Sequence, residues 1–199
     1  MPFDYQKTNQ TNGELQLMET RDLAIAIGQA LTGDEELIRI LHYVPEYDGD
    51  DPLSEEKPSL LDNDDQDAKW ELINNHIKST PKTDDLTEMP IGRVLFFMGR
   101  RAGMESNPQF DTQDVVFDVV MHEKYAANYQ LEMAVDHLIK TFNGRQLGRF
   151  DRASDQKTGI GRFSFSGGEP IGSIREGYVG YRLVFISVLR GTSRERFVR

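Results

Sequence analysis

Two short acidic runs, Asp48-Gly49-Asp50-Asp51 and Asp62-Asn63-Asp64-Asp65-Gln66-Asp67, carry densely spaced oxygen ligands, and the chemistry they invite is divalent-cation binding. An EF-hand loop needs glycine at its sixth position for a sharp turn and a bidentate Glu at its twelfth. Counted from Asp62, the sixth position is Asp67 and no Glu falls at the twelfth. The runs therefore read as a solvated acidic loop, with weak divalent binding as the other reading.

Other reactive groups are scattered. His42, His76, His122 and His137 form no HExxH pair and have no cysteine to join them, so each reads as a surface or strand-end histidine. The absence of cysteine excludes disulfides, thiolate metal sites and cysteine nucleophiles. No GxSxG elbow is present, and no Walker lysine follows a Gly-rich loop. Gly159-Ile160-Gly161-Arg162-Phe163-Ser164 lacks the third glycine of a dinucleotide fingerprint and is not followed by a helical pattern. Asp118 and Asp136 are one carboxylate pair among many in a chain with 33 acids, so they do not argue for hydrolysis. The expectation is a protein that is not an enzyme, with no catalytic residue, no metal and no cofactor.

Arg145, Arg149, Arg152, Lys157 and Arg162, with Phe150 and Phe163 among them, could touch nucleic acid, as could Arg190, Arg194, Arg196 and Arg199. The competing reading is a basic loop that meets an acidic protein surface, of which residues 46–71 offer one. A net charge of −10 weighs against bulk affinity for nucleic acid. That charge is unevenly placed. Residues 1–90 hold seven basic and 21 acidic side chains, whereas residues 91–199 hold 16 and 12. Such a division predicts two electrostatically different surfaces.

No run approaches the ~20 consecutive apolar residues of a membrane span. The opening Met1-Pro2-Phe3-Asp4 lacks the basic and apolar regions of a secretory signal. No membrane partner is expected, and synthesis in a cytoplasm is.

The elements that must position these groups begin after a polar arm at residues 1–18. Leu23, Ile27, Ala30 and Leu31 mark a helix over Thr20–Leu31. Asp34 reads as the N-cap of a second helix with Leu37, Ile40, Leu41 and Val44 on its apolar face. Residues 46–67, broken by Gly49, Pro52 and Pro58, read as an acidic insertion loop. Trp70, Ile73 and Ile77 mark a short third helix. Arg93–Met98 is a strand apolar on both faces, which predicts burial on both, by a helix on one side and another layer or subunit on the other. Gly99–Asp111 reads as a loop too long for a tight hairpin. Val115–His122 is the second strand.

The clearest element is a helix over Asn128–Phe142. Asn128 is its predicted N-cap, and Leu131, Ala134, Val135, Leu138, Ile139 and Phe142 are its core stripe. Arg162–Ser166 reads as a short strand with Phe163 and Phe165 inward, and Tyr178–Leu189 as a long strand apolar on both faces. Residues 190–199 form a basic tail. The expected architecture is one α+β domain over 19–189. Its mixed or antiparallel sheet has about four main strands packed by one long amphipathic helix, with amino-terminal helices and long loops.

From Gly92-Arg93-Val94-Leu95-Phe96-Phe97, through Gln113-Asp114-Val115-Val116-Phe117-Asp118-Val119-Val120 and the Asn128–Phe142 helix, to Tyr181-Arg182-Leu183-Val184-Phe185-Ile186-Ser187-Val188, the chain resembles the tail-terminator, or tail-to-head joining, proteins of long-tailed bacteriophages. Asp22-Leu23-Ala24-Ile25-Ala26-Ile27 resembles the opening of that family. The resemblance implies a ring, usually hexameric, that caps the tail tube and gives the head a docking surface. Its partners would be further copies of the chain, the tail tube protein and a head-neck connector. Nucleic acid would meet it at most by passing through the ring. It also implies a place in the virion, at the tail or neck. A neck or head-completion adaptor, a nucleic-acid-binding module and a generic α+β domain are the other readings. Within the resemblance, Gly99–Asp111 and Gly144–Gly177 are the expected docking loops, with Arg100, Arg101, Arg149, Arg152 and Arg162 as polar contacts.

Overall fold

The computed structural model describes residues 20–62, 64–83, 86, 90–107, 110–147, 162–172 and 174–190. The polar arm, the tail beyond Arg190, and Arg149 and Arg152 lie outside these residues. The elements are α1 (Thr20–Thr32), α2 (Glu35–His42), α3 (Gln66–His76), β1 (Ile77–Lys78), β2 (Gly92–Gly103), β3 (Phe110–His122), a 3-10 helix (Glu123–Asn128), α4 (Gln130–Phe142), β4 (Phe163–Pro170) and β5 (Tyr178–Arg190). The strands form one mixed sheet in the order β1-β2-β3-β5-β4. Strand β1 runs parallel to β2, and the remaining pairs are antiparallel. This is the α+β class that the sequence predicts.

The inner face of the sheet is the core. Val115, Phe117, Val119 and Met121 of β3 alternate onto it, beside Val94 and Phe96 of β2 and Leu183, Phe185 and Leu189 of β5. Leu23, Ile27 and Leu31 of α1, Leu37, Ile38, Ile40 and Leu41 of α2, and Ala134, Leu138 and Phe142 of α4 cover it. Phe117 touches Phe142 at 4.9 Å between ring centroids and Phe185 at 5.5 Å, edge-on in the second case. Each such aromatic pair adds about 1 kcal/mol beyond the area it buries.

Local chemistry explains several element ends. The Asp34 carboxylate accepts from Leu37 N at 3.1 Å, an N-cap that stabilises α2 by about 1 kcal/mol. Helix α4 stops where Gly144 takes φ +77°, a left-handed turn that costs glycine nothing.

The α4 stripe faces the core as expected: Ala134, Leu138 and Phe142 are fully buried, and Leu131, Val135 and Ile139 pack against the core as half-buried flanks. Gln130 joins the buried row, which the sequence did not suggest. Four expectations need correction. Asn128 is not the N-cap. Tyr129 holds that position at φ +53° with no side-chain cap, after an intervening 3-10 helix. Gly99–Asp111 is not a loop, because β2 and β3 pair on to Gly103↔Asp111 across a bulge between Met98 and Arg101. Trp70 is 55% exposed, and Ile77 belongs to β1 and not to α3. Phe165 sits at the margin of the core, 36% exposed, although its ring still meets Phe185 at 5.4 Å.

Candidate interaction surfaces

The register of the sheet brings the predicted arginines to one end of it. Arg101 pairs with Gln113, Gln113 with Ser187, and Ser187 with Phe163, next to Arg162. Arg100, Arg101 and Arg162 thus share one end of the sheet, across a width of roughly 14 Å at about 4.8 Å per strand. They are not equivalent. Arg101 donates through Nε to Asp111 Oδ2 at 2.8 Å and through a terminal nitrogen to Thr20 Oγ1 at 3.1 Å, which ties β2 to α1. Arg100 is exposed in the bulge, and Arg162 is exposed where it bridges to Gln146. Gln113, 2% exposed, holds the bulge in shape by donating to the carbonyls of Gly99 and Arg100.

The acidic segment begins at the opposite end. The 3-10 helix that follows His122 carries Asn128, whose amide nitrogen donates to the carbonyls of Tyr47 and Asp50 and whose oxygen accepts from Gly49 N at 2.7 Å. Strand β3 has 13 residues, so its two ends lie about 40 Å apart. The segment is no loose insertion. Glu35 accepts from the consecutive amides of Leu60 and Leu61, both at 2.8 Å. Arg39 donates to the carbonyls of Ser54 and Lys57. Asp50 is buried against Lys57 at 2.6 Å, and this hydrogen bond and the one from Glu46 N hold its carboxyl below the usual range. Ser59, Leu60, Asp62, Ala68, Lys69 and Leu72 line a shallow hollow of about 400 Å³ beside it.

The histidines are less scattered in space than in sequence. His42 and His76 touch through their ring nitrogens, and His137 bridges Asp34 at 2.8 Å and Glu36 at 3.4 Å. Burial opposes ionisation of Asp34, but the hydrogen bonds from His137 and Leu37 N prevail and lower its pKa. Among the described residues, no group of three or more His, Asp or Glu is arranged to hold a metal ion. Sequence spacing could not expose these contacts, because the partners are 34 and 103 residues apart.

The outer face of the sheet divides in two. Toward the His122 end, Leu95, Val120, Tyr178 and Leu86 are buried with Ile91, Ile171 and Ile174, so the chain covers this half itself. Gly180 makes that cover possible. A Cβ there would meet Ile174 Cδ1 at 2.5 Å and the carbonyl oxygen of Val119 at 2.9 Å. Toward the arginine end, Phe97, Val184, Ile186 and Val188 are half-buried around Val116. Strand β5 is apolar on both faces, as expected, but its outer face is covered only toward the His122 end. Asp118 and Arg182 cross this outer face as a bidentate pair, with both contacts at 2.7 Å, and the Arg182 guanidinium lies 5.9 Å from the centroid of the Phe97 ring.

These features define an α+β protein whose sheet is covered by helices on one face and half-covered on the other, with exposed Arg100 and Arg162 at one end and the acidic segment anchored at the other. The chain matches the YomW family over residues 34–186 and belongs to that family. It is 28% identical over 160 residues to the SPbeta prophage-derived uncharacterized protein YomW of Bacillus subtilis (strain 168), across 76% of this chain and 86% of that protein. The prophage origin of that relative agrees with the phage origin implied by the resemblance. Among the described residues no helix is long and apolar enough to cross a membrane.

Proposed function

We propose that this chain is a non-catalytic structural protein of a tailed phage. It assembles with copies of itself into a ring that caps the tail tube and receives the head. The observation that carries this reading is the separation of charge along one sheet. Arg100 and Arg162 stand exposed at one end, and the segment from Glu46 to Asp51 is anchored by Asn128 at the other. A subunit with unlike ends suits the heterologous contacts of a cyclic ring and of a tube-to-neck adaptor. Prophage origin of a relative over most of the chain supports the setting.

Arg100 and Arg162 are the proposed docking contacts, since both are exposed. Arg101 serves the fold through Asp111 and Thr20. The test is complementation of a phage that lacks this gene with the Arg100→Glu, Arg162→Glu double variant. The expected result is unjoined heads and tails with tails of abnormal length. Tails of normal length that fail to join would favour the neck adaptor. Full complementation would sink the docking role of both residues.

A further inference from the structure

Helix α3 and strand β1 are joined to the body by few contacts. Of the 11 residues of α3, only Ile73 and His76 are buried. Strand β1 has two residues and pairs with β2 at Ile77↔Val94 and Lys78↔Leu95. The main polar tie is a chain through His76, the last residue of α3. Its Nδ1 lies 2.7 Å from the carbonyl oxygen of Gly92 on β2, and its Nε2 lies 3.1 Å from Nδ1 of His42 at the end of α2. A second tie runs from Arg93 Nε to the carbonyl of Asn75 at 2.8 Å.

The histidine pair accommodates one proton and not two. With both rings neutral, His42 donates from Nδ1 to the bare Nε2 of His76. A proton taken by the half-buried His42 at its other nitrogen leaves that bond in place. A second proton, on His76 Nε2, sets N–H against N–H, and neither nitrogen remains to accept. The surroundings do not offset the added charge. The groups that act on His76 are His42 from α2, and Arg93 and the Gly92 carbonyl from β2. The Tyr125 hydroxyl of the 3-10 helix bonds the carbonyls of Leu41 and His42, and the Tyr43 ring meets His42 edge-on. None of these groups is a carboxylate.

We propose that α3 and β1 form a latch, which opens as one unit when both rings of the His42–His76 pair are protonated, while β2, β3, β5 and β4 stay paired. The contrast in attachment sets the order. Strand β3 is paired along its length with β2 on one side and β5 on the other, whereas the latch is held by two residue pairs of β1 and few buried side chains. Opening bares the edge of β2 at Val94 and Leu95, and an unpaired edge is a template for a strand of another chain. The closed state refuses a proton that the open state binds, because burial pulls His76 from 6.5 to about 4. Opening therefore grows as pH falls below 6.5 and levels off near 4. The latch goes beyond the ring reading and does not depend on it.

Amide hydrogen exchange of the full chain, read by mass spectrometry and corrected for the pH dependence of the intrinsic rate, tests the latch. Between pH 7.5 and 4.5, protection of residues 66–78 should fall on the order of 70-fold, the factor that a pKa of 6.5 open and about 4 closed requires. Residues of β3 and β5 should keep their protection. His76→Gln and His42→Gln should each retain most of the protection of 66–78 at pH 4.5, because a glutamine amide both donates and accepts and one titrating ring remains. Loss of protection in step across 66–78 and β3 would mean that the whole domain opens, which overturns the latch. So would protection of 66–78 that does not fall, or a fall undiminished in both glutamine variants, since acid would then act through other groups. If circular dichroism shows one variant misfolded at pH 7.5, the other decides.

Discussion

His42 and His76 are hydrogen-bonded to each other, Nδ1 to Nε2 at 3.1 Å, and His76 Nδ1 lies 2.7 Å from the carbonyl oxygen of Gly92. A carbonyl only accepts, so His76 carries its proton on Nδ1. Its bare Nε2 accepts from the Nδ1–H of His42. The pair joins the end of α2 to the end of α3 and to the first residue of β2. Burial lowers the pKa of both rings, so the pair is neutral near pH 7 in the folded state, and a proton on His76 Nε2 would face the Nδ1–H of His42.

Acid should weaken the fold through this pair. Burial pulls His76 down from 6.5 to about 4, and the nearby His42 and Arg93 act the same way against the hydrogen bond to Gly92. Burial also lowers His42. The unfolded chain binds a proton that the folded one refuses, so stability is complete above pH 6.5 and is lost as pH falls toward 4. The His76 contribution is on the order of 3 kcal/mol. Urea unfolding from pH 7.5 to 4 should show this slope, and His76→Gln should flatten it. An unchanged slope in that variant would rule out His76 as its source. Asp34 acts below this window, since its lowered pKa removes stability only as pH falls through the carboxylate range.

Asn128 should matter through the acidic segment and not through α4. Asn128→Ala deletes hydrogen bonds to Tyr47, Gly49 and Asp50, at a cost of about 1–2 kcal/mol. Limited proteolysis should then cut first within residues 46–51. Cleavage elsewhere would show that the anchor is not Asn128.

Tyr129→Gly should behave in the opposite sense. Tyr129 is 71% exposed at φ +53°, a conformation that costs a residue with a side chain about 1 kcal/mol and glycine little. The variant should be as stable as the parent or more so in thermal melts. A clear loss would mean that the Tyr129 ring makes a contribution larger than its backbone strain.

The Asp118–Arg182 pair should be asymmetric. The Asp118 side chain is 7% exposed and that of Arg182 is 39%. Arg182→Ala leaves a buried carboxylate without its bidentate partner, whereas Asp118→Ala leaves a guanidinium that can turn to water or to Glu169, its neighbour on β4. Denaturant titration should find the first variant less stable than the second by about 1–3 kcal/mol. Equal losses would indicate that packing over Phe97, and not charge, is the main contribution.

Gly180→Ala tests the cover of the outer face. Its methyl group would collide with Ile174 and with the backbone of β3, a misfit of about 1–3 kcal/mol. The loss should appear in denaturant titration, with added tyrosine exposure read by second-derivative ultraviolet absorbance. Parent-like stability would mean that the Ile171–Ile174 segment yields freely.

Sequence determined whatever depends on local periodicity and local hydrogen bonding. The alternation of Val115, Phe117, Val119 and Met121 placed a strand and its inner face, and Asp34 with Leu37 placed a cap, because these patterns span few residues and the backbone imposes their spacing. The resemblance to phage proteins agrees with the prophage origin of the Bacillus subtilis relative. Tertiary structure decided what depends on partners far apart in the chain. Pairing with β3 turned the expected docking loop Gly99–Asp111 into a bulged hairpin. Contacts with residues 40–50 diverted Asn128 from a cap to an anchor and drew Gln130 into the core. The sheet register gathered Arg100, Arg101 and Arg162 at one end. The acidic segment, despite a composition that favours water, was drawn onto the body of the protein by Glu35, Arg39 and Asn128, because buried backbone amides and carbonyls need partners and these side chains supply them.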